Sequence, residues 1–317
     1  MKLSKVLFSA AMGLSVSQLG FAQTQITYKS AKTSSSYYQM AVEIAQAVKK
    51  DTNSELILTV EESQGSVQNV MESAFRGANY VFTTPPALVG LAQSGKAMFK
   101  GRNNPKFDEI RALFPIPSLT MHFVVSDKSG IESFAQMEGK DILLGKGSFG
   151  ANEGAKYIKM FGLEGKINLS KVELSNAVSA LKNGQIDGFV TAGSFPAPNV
   201  IEAAAGTGVK VLSLSDEQVA QTKRTKLVIP AGTYTGQQQD ITTTSLPVVA
   251  YTSSTMDEAT AYALTKAFWG QKQTMSDTSP WWKGVSTDML SNINGKIHPG
   301  AAKYYREMGV TLSAAQQ

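Results

Sequence analysis

The chain has 317 residues, with 30 lysines and arginines, 25 aspartates and glutamates and no cysteine, which gives a net charge of +5. The lack of cysteine excludes a disulfide framework, a thiolate nucleophile and a cysteine metal site. The charges are dispersed, so no basic cluster with interleaved aromatic residues predicts a nucleic-acid groove.

Residues 1–22 have the pattern of a secretory signal peptide. Lys2 and Lys5 precede a short apolar centre, and Gly20-Phe21-Ala22 offers the small-x-small pattern of a cleavage site. The apolar centre is too short for a membrane span, and no later segment approaches the ~20 apolar residues that a span needs. The sequence therefore predicts an exported, periplasmic protein whose mature chain begins at Gln23.

The remaining chain alternates strand-like and helix-like segments, which is typical of the α/β class. Three strand–helix pairs come first: the strands QITYKS, ELILTVEES and NYVFTT, and helices that begin in SSSYYQ, near Ser66 and at Pro85-Pro86. The alternation restarts at MHFVVSDKSGI, with strands KDILLG, KVEL and IDGFVTAG and helices in GSFGANEGAKYIKMFG, near Ala177 and after Pro198. The polar segment IPAGTYTGQQQDITTT is predicted to lead back to a strand in SLPVVAYTS, before a helical C-terminal part with a packed Trp281-Trp282 pair.

These two alternations, with a late return of the chain to the first, predict two α/β lobes around a cleft. We place the first lobe at residues 23–122 plus 244–317 and the second at residues 123–243. Open α/β sheets bind ligands outside the carboxyl ends of their strands. The strand-to-helix loops are therefore expected to carry the function, in a chain expected to be a monomer.

Four of these loops combine hydroxyl residues and glycine with the start of a helix. Unpaired N–H groups at helix starts, together with hydroxyls, make a donor-rich site that suits an anion. Ordinary helix capping is the alternative for any single loop, but four such loops in one cleft favour binding. The candidate ligand-binding residues are Ser35, Ser36, Tyr37 and Tyr38; Glu62, Ser63, Gly65 and Ser66; Thr83 and Thr84; Ser148, Phe149 and Asn152; and Thr191, Gly193 and Phe195.

The first loop has more hydroxyls than a helix cap requires. Ser36, with Gln39 three positions later, fits a capping box. Neighbouring serines would donate to a bound anion and a tyrosine would close over it, because a buried charge without partners is costly. Ser36 in the first lobe and Asn152 in the second are expected to clamp the ligand between them.

A glycine triplet in the third loop leaves a second function open. Gly145, Gly147 and Gly150 spell G-x-G-x-x-G between a strand and a helix, as in dinucleotide-binding proteins. Glu173 lies somewhat farther on than the usual ~20 residues for the ribose-binding acid. The alternative to a receptor is therefore an exported NAD(P)-dependent oxidoreductase that uses this loop.

Other catalytic groups are poorly represented, so we expect no enzyme, no cofactor and no metal. The two histidines, His122 and His298, have no neighbours that suggest a triad or a metal pair. Glu61 and Glu62 are adjacent on a strand, so only one of them can face the cleft. A single cleft glutamate is better suited to holding an ammonium group than to catalysis.

Several segments together resemble the TAXI group of solute-binding proteins, the TRAP-associated extracytoplasmic immunogenic receptors. They are SSSYYQMAVEIAQAV, SQGSVQNV, SDKSGIESFAQMEGKDILLGKGS, AVSALKNGQIDGF, IPAGTYTGQQQDI and IHPGAAKYYRE, in the family's order and over nearly the whole mature chain. The GTYTGQ and HPGAAKYY pieces are specific to the group. The resemblance implies a periplasmic binding protein-like (type II-like) fold.

The resemblance also implies a function: a receptor that delivers a small organic solute to a TRAP-type membrane permease, which an ion gradient drives. Glutamate, glutamine and 2-oxoglutarate are the ligands expected in such a family. The chain departs from the family at Thr83-Thr84-Pro85, where relatives often carry Gln, Ser and Asp, and at Asn79, which replaces an aspartate. An acidic partner for an amino group is thereby lost, which favours a dicarboxylate such as 2-oxoglutarate over an amino acid.

Overall fold

The computed structural model of the protein describes residues 23–146, 148–171 and 173–317. The signal peptide predicted at residues 1–22 lies outside this range. The described strands are β1 Thr24–Lys29, β2 Leu56–Glu61, β3 Tyr80–Thr84, β4 Ile110–Ser126, β5 Asp141–Leu143, β6 Asn168–Leu169, β7 Gly188–Gly193, β8 Val209–Val211, β9 Thr225–Ile229 and β10 Ile241–Ser253. The described α-helices are α1 Ser36–Asp51, α2 Ser66–Ser73, α3 Pro86–Gln93, α4 Phe149–Met160, α5 Ala177–Lys182, α6 Pro198–Thr207, α7 Asp216–Thr222, α8 Glu258–Ser276 and α9 Pro299–Glu307.

All of these strands belong to one mixed sheet. Its order is β2-β1-β3-β10-β4-β7-β5-β6, with β8 beside β4 and β9 beside β10. The parallel strands β1, β2 and β3, followed by α1, α2 and α3, form what we call the first half of the sheet. The strands β5, β6 and β7, with α4, α5 and α6, form the second half.

The long antiparallel strands β4 and β10 run through both halves. β4 pairs with β10 over Ile110–Thr120 and with β7 over Thr120–Val125. The register between β10 and β4 shifts between Leu246 and Val248, around Pro247, which has no N–H to donate to the ladder. The lobe boundaries predicted at residues 122/123 and 243/244 fall inside these two strands.

The C-terminal helices pack on the first half. The rings of Phe114 on β4 and Phe268 on α8 stack with their centroids 4.1 Å apart. The indole N–H groups of Trp281 and Trp282 donate to one carboxylate oxygen of Glu43 on α1, at 2.8 and 3.0 Å. Since Trp282 is fully buried, the packing predicted for this pair is confirmed.

One predicted strand is wrong. KVEL is not a strand in its described residues; Leu174 begins a 3₁₀ turn, and the edge strand β6 lies earlier, at Asn168–Leu169. The sequence also failed to predict the first part of β4, because Pro115 and Pro117 interrupt its apolar run and proline argues against a strand interior. The other predicted strands and helices that were named segment by segment are present.

Candidate functional site

A cavity of about 90 Å³ lies between the two halves of the sheet. The loops after β1, β2 and β5 border it, together with strand β7, so it occupies the position predicted for a ligand in an open α/β sheet. Half of the predicted ligand-binding residues line it: Ser35, Tyr37, Gly65, Ser66, Thr83, Ser148, Phe149 and Thr191.

The first loop caps α1 with a different serine from the one predicted. Ser35 has an extended backbone, and its Oγ accepts a hydrogen bond from the N–H of Tyr37 at 3.2 Å. The predicted capping box of Ser36 and Gln39 is therefore wrong. A run of adjacent hydroxyls gives several equivalent candidates for the cap, and the helix begins one residue earlier than the box requires.

Ser36 instead joins the two halves of the sheet. Its Oγ accepts a hydrogen bond from the backbone N–H of Ser194, at 3.0 Å, and both residues are buried. A Cβ atom on the neighbouring Gly193 would lie 2.8 Å from the same Oγ. Glycine at position 193 therefore permits the close approach, although neither Ser36 nor Gly193 lines the cavity itself.

Tyr37 connects the cavity with the crossing strand β4. Its hydroxyl donates to the carbonyl of Pro117 at 2.9 Å, and burial raises the pKa of this phenol well above its ordinary value. The ring stays neutral, and its hydroxyl is already engaged, so it offers the cavity an aromatic surface. Tyr38 is half-buried and does not line the cavity.

The second loop delivers the start of α2 to the cavity. Gly65 precedes this helix at a φ of 110°, a conformation that favours glycine, and no side chain caps the helix among the described residues. The Oγ of Ser63 accepts from the N–H of Gly65 at 2.9 Å and donates to the carbonyl of Ser30 at 2.9 Å. Ser63 thus stabilises the loop, while the first N–H groups of α2 have no intrahelical partner.

Two further candidates of the first half lie away from the cavity. Thr84 is fully buried, and its Oγ1 has no hydrogen-bond partner among the described residues. Glu62 forms an ion pair of 3.5 Å with Lys32 and accepts from the N–H of Thr33 at 3.4 Å. Neither Thr84 nor Glu62 is among the residues that line the cavity.

The third loop begins α4 beside the cavity. The Oγ of Ser148 caps this helix by accepting from the N–H of Ala151 at 3.0 Å, and the buried Phe149 follows it. Asn152 donates from Nδ2 to the carbonyl of Ser148 at 3.0 Å and is otherwise exposed. The loop therefore presents Ser148 and Phe149 to the cavity and turns Asn152 away from it.

The described glycines of the triplet serve the packing of this loop. A Cβ atom on Gly150 would lie 2.7 Å from that of Ala192 on β7, and Gly145 has a φ of 77°. Gly147 lies outside the described residues. Glu173 forms an exposed ion pair with Lys146 at 3.2 Å. A cavity of about 90 Å³ is also far below the ~300–1,000 Å³ of pockets that hold larger ligands, so nothing here supports a dinucleotide site.

The fourth loop contributes Thr191 and a residue that was not predicted, Asn199. The Nδ2 of Asn199 donates to the Oγ1 of Thr191 at 3.1 Å, and both line the cavity. Phe195 packs against the smaller of the two hydrophobic clusters, in the second half, and does not line the cavity. Lys32 and Gln64 also line the cavity without having been predicted. The signal for Lys32 was available, since it directly precedes the hydroxyl run.

The GTYTGQ segment braces the fourth loop. The hydroxyl of Tyr234 bonds to Nε2 of the buried His122 at 2.8 Å and accepts from the N–H of Ala197 at 3.0 Å. The Nδ1 of His122 lies 3.1 Å from the carbonyl of Thr120, which can only accept, so Nδ1 carries the proton and Nε2 accepts from the phenol. Burial lowers the pKa of His122 to about 4, so the ring is neutral and hydrogen-bonded, as its place in an apolar strand predicted.

Apart from residues 1–22, 147 and 172, the chain contains no group of three or more His, Asp or Glu side chains that could hold a metal ion. Among the described helices, none combines the length and the apolar character that crossing a membrane requires.

Comparison with known proteins identifies the fold. A family model described as the NMT1-like family matches residues 29–309. The periplasmic binding protein BugD superposes with a TM-score of 0.55 at 9% identity, over 92% of this chain and 99% of that one. A structure described as a periplasmic transporter gives 0.51 at 10% identity, over 90% and 92%. The alkanesulfonate-binding protein SsuA from Xanthomonas axonopodis pv. citri, bound to MOPS, gives 0.46 at 15% identity, over 86% and 83%. The predicted periplasmic binding protein-like α/β fold is confirmed.

Proposed function

We propose, starting from the fact that the chain belongs to the NMT1-like family, that it is a periplasmic receptor for a small organic carboxylate. Its fold is that of periplasmic binding proteins, and the cavity lies where such a sheet offers its strand ends. Beyond the family and the fold, we propose the chemical class of the ligand and its delivery to a membrane permease.

We infer the ligand class from the helix starts that meet at the cavity. Ser35 precedes α1, Ser66 begins α2 and Ser148 precedes α4, and all three residues line the cavity. Helix N-termini carry a partial positive charge and unpaired N–H groups, so they attract anions. The serine hydroxyls add donors that can turn towards a bound carboxylate.

The rest of the lining fits an organic ion better than an inorganic one. Lys32 is the only charged side chain among the described residues that line the cavity. The buried side chains of Leu119, Phe149 and Val190 supply an apolar wall. A ligand with a carboxylate and a short carbon skeleton would use both parts of this surface.

Capture requires the cleft to open, because the two halves touch beside the cavity at Ser36 and Ser194. The crossing strands β4 and β10 are the only strands described that belong to both halves, and their pairing is already interrupted around Pro247. We expect the hinge at this point, since hinges lie where a few residues absorb the backbone change. Ligand bound between the halves would stabilise the closed form.

Delivery to a TRAP-type permease is supported by the resemblance of GTYTGQ, HPGAAKYY and the other segments to TAXI receptors. An ion gradient would then drive the uptake. Cells that express the chain with its permease should lose uptake when an ionophore collapses the gradient while ATP is maintained. Uptake that survives this treatment, and disappears only when ATP is depleted, would contradict this part of the proposal.

A thermal-shift screen followed by calorimetry tests the receptor itself. A ligand at 100 times its dissociation constant should stabilise the folded protein by about 2.7 kcal/mol. Small carboxylates should therefore raise the melting temperature by several degrees, and NAD(P) should not. A shift with NAD(P) and none with any carboxylate would contradict the proposal.

A further inference from the structure

We infer that the cavity selects a carboxylate without an ammonium group, so that a 2-oxo acid binds in preference to the matching amino acid. In this inference the ammonium group of Lys32 binds the carboxylate of the ligand. The inference rests on the proposed receptor function and narrows its ligand class. It depends on the charges and hydrogen bonds that surround the cavity.

Lys32 is in position to act as the counter-charge. It follows β1 and lines the cavity, and its side chain is 37% exposed, so the ammonium group keeps contact with solvent. Its partner is Glu62, whose Oε1 lies 3.5 Å from Nζ. Such a half-exposed ion pair contributes little to stability, so a ligand anion can replace Glu62 at small cost.

The acidic side chains near the cavity are all paired with cations of the protein. One carboxylate oxygen of Glu61 lies 3.3 Å from the Nζ of Lys29 and 2.8 Å from a guanidinium nitrogen of Arg76. Glu62 pairs with Lys32, and Glu173 with Lys146. No aspartate or glutamate is among the described residues that line the cavity, so an ammonium group would find no carboxylate there.

Three backbone carbonyls of lining residues are also occupied. The carbonyl of Ser30 accepts from the Oγ of Ser63 at 2.9 Å and from the Nδ2 of Asn69 at 2.6 Å. The same Nδ2 donates to the carbonyl of Thr83 at 2.9 Å. The carbonyl of Ala31 accepts from the N–H of Ser63 at 3.1 Å. The backbone carbonyls of Ser30, Ala31 and Thr83 therefore already accept hydrogen bonds from other groups of the protein.

Donors, in contrast, remain available. The start of α2 has no side-chain cap among the described residues, and the hydroxyls of Ser35 and Ser148 act as acceptors in the caps of α1 and α4, which leaves their O–H groups to donate. A carboxylate entering this surface finds these donors and the ammonium group of Lys32, whereas a ligand ammonium group finds no carboxylate and lies beside a like charge. An unpaired buried charge is costly, so the cavity should discriminate strongly against amino acids.

Glu62 has the opposite role to the one that the sequence suggested. It was predicted to hold a ligand ammonium group, but here it competes with the ligand for Lys32. Glu62→Gln keeps an oxygen for the N–H of Thr33 and removes the competing charge. This substitution should tighten carboxylate binding, whereas Lys32→Gln should weaken it.

Titration calorimetry with two matched pairs, 2-oxoglutarate with glutamate and pyruvate with alanine, tests the inference on the intact protein freed of bound ligand. The 2-oxo acid that binds should do so at least about tenfold more tightly than its amino acid. An amino acid that binds as tightly as its 2-oxo acid, or more tightly, would overturn the inference and leave the receptor function intact. Binding of neither series, together with no thermal shift from any other small carboxylate, would overturn the proposed function itself.

Variants of Lys32 test whether this side chain binds the carboxylate of the ligand. Lys32→Gln should weaken 2-oxo acid binding by about tenfold or more, and Lys32→Arg should retain most of it. Lys50→Gln, which removes an exposed charge at the C-terminal end of α1, is the matched control and should leave the affinity unchanged. Equal affinities of Lys32→Gln and Lys50→Gln, in proteins with unchanged melting temperatures, would overturn the role of Lys32.

Discussion

The Oγ of Ser36, in the first turn of α1, accepts a hydrogen bond of 3.0 Å from the backbone N–H of Ser194, which follows β7. This contact joins the two halves of the sheet beside the cavity. Since both residues are buried, the N–H of Ser194 depends on this hydroxyl as its partner in the closed form. The contact therefore couples the state of the cleft to a single side chain.

Ser36→Ala should weaken ligand binding. The substitution leaves the buried N–H of Ser194 unpaired in the closed form, which costs about 1–3 kcal/mol, so the dissociation constant should rise by about 5- to 150-fold. Calorimetry with the best carboxylate measures this change. Gln39→Ala is the control, because Gln39 is exposed and has no capping role; its affinity and melting temperature should match those of the unmodified protein.

Gly193→Ala should also impair closure, for a steric reason. The new Cβ would lie 2.8 Å from the Oγ of Ser36, too close for the halves to approach fully. The affinity should fall, whereas the Gly193→Ala/Ser36→Ala double variant should bind no worse than Ser36→Ala alone, because the clash and the hydrogen bond involve the same atom. Additive losses in this cycle would show that Gly193 acts elsewhere.

Features that depend on residues close together in the sequence could be predicted, whereas contacts between residues far apart in the sequence could not. The alternating apolar patterns predicted the strands and helices of both halves, and the loops after the strands were correctly expected to meet. The exact cap could not be predicted, because Ser34, Ser35 and Ser36 are equivalent in sequence. Lys32 and Glu62 become partners only through the pairing of β1 with β2, and Asn199 reaches Thr191 only through the turn before α6.

Tyr234→Phe should destabilise the second half of the sheet. The buried N–H of Ala197 and the Nε2 of His122 would both lose their partner, a loss of about 1–3 kcal/mol in the free energy of unfolding. Chemical denaturation measures it. Tyr38→Phe is the matched control, since among the described residues the hydroxyl of Tyr38 has no hydrogen bond, and its stability should be unchanged. Equal stability of both variants would contradict the bracing role of the GTYTGQ segment.

The stability of the protein should fall in mild acid because of His122. Its pKa is about 4 in the folded protein against 6.5 in an exposed histidine, because burial disfavours the charged ring. Between these two values the unfolded chain binds the extra proton, so the free energy of unfolding decreases as the pH falls from about 6.5 to 4, by about 3 kcal/mol in total. Denaturation at pH 7.5 and pH 5 measures the slope.

His122→Gln is the variant for this measurement, because its side-chain oxygen can still accept from Tyr234. The pH dependence should become shallower but not vanish, since burial also lowers the pKa of His298. An unchanged slope in His122→Gln would show that His122 does not titrate in this range.

A crystal structure of the protein with the carboxylate that gives the largest thermal shift would locate the ligand. We expect it in the cavity between the two halves, with its carboxylate within hydrogen-bond distance of the start of α2 or of the Nζ of Lys32, and with Ser36 bonded to Ser194. A carboxylate bound outside this cavity, or held there without a contact to any helix start or to Lys32, would contradict this expectation.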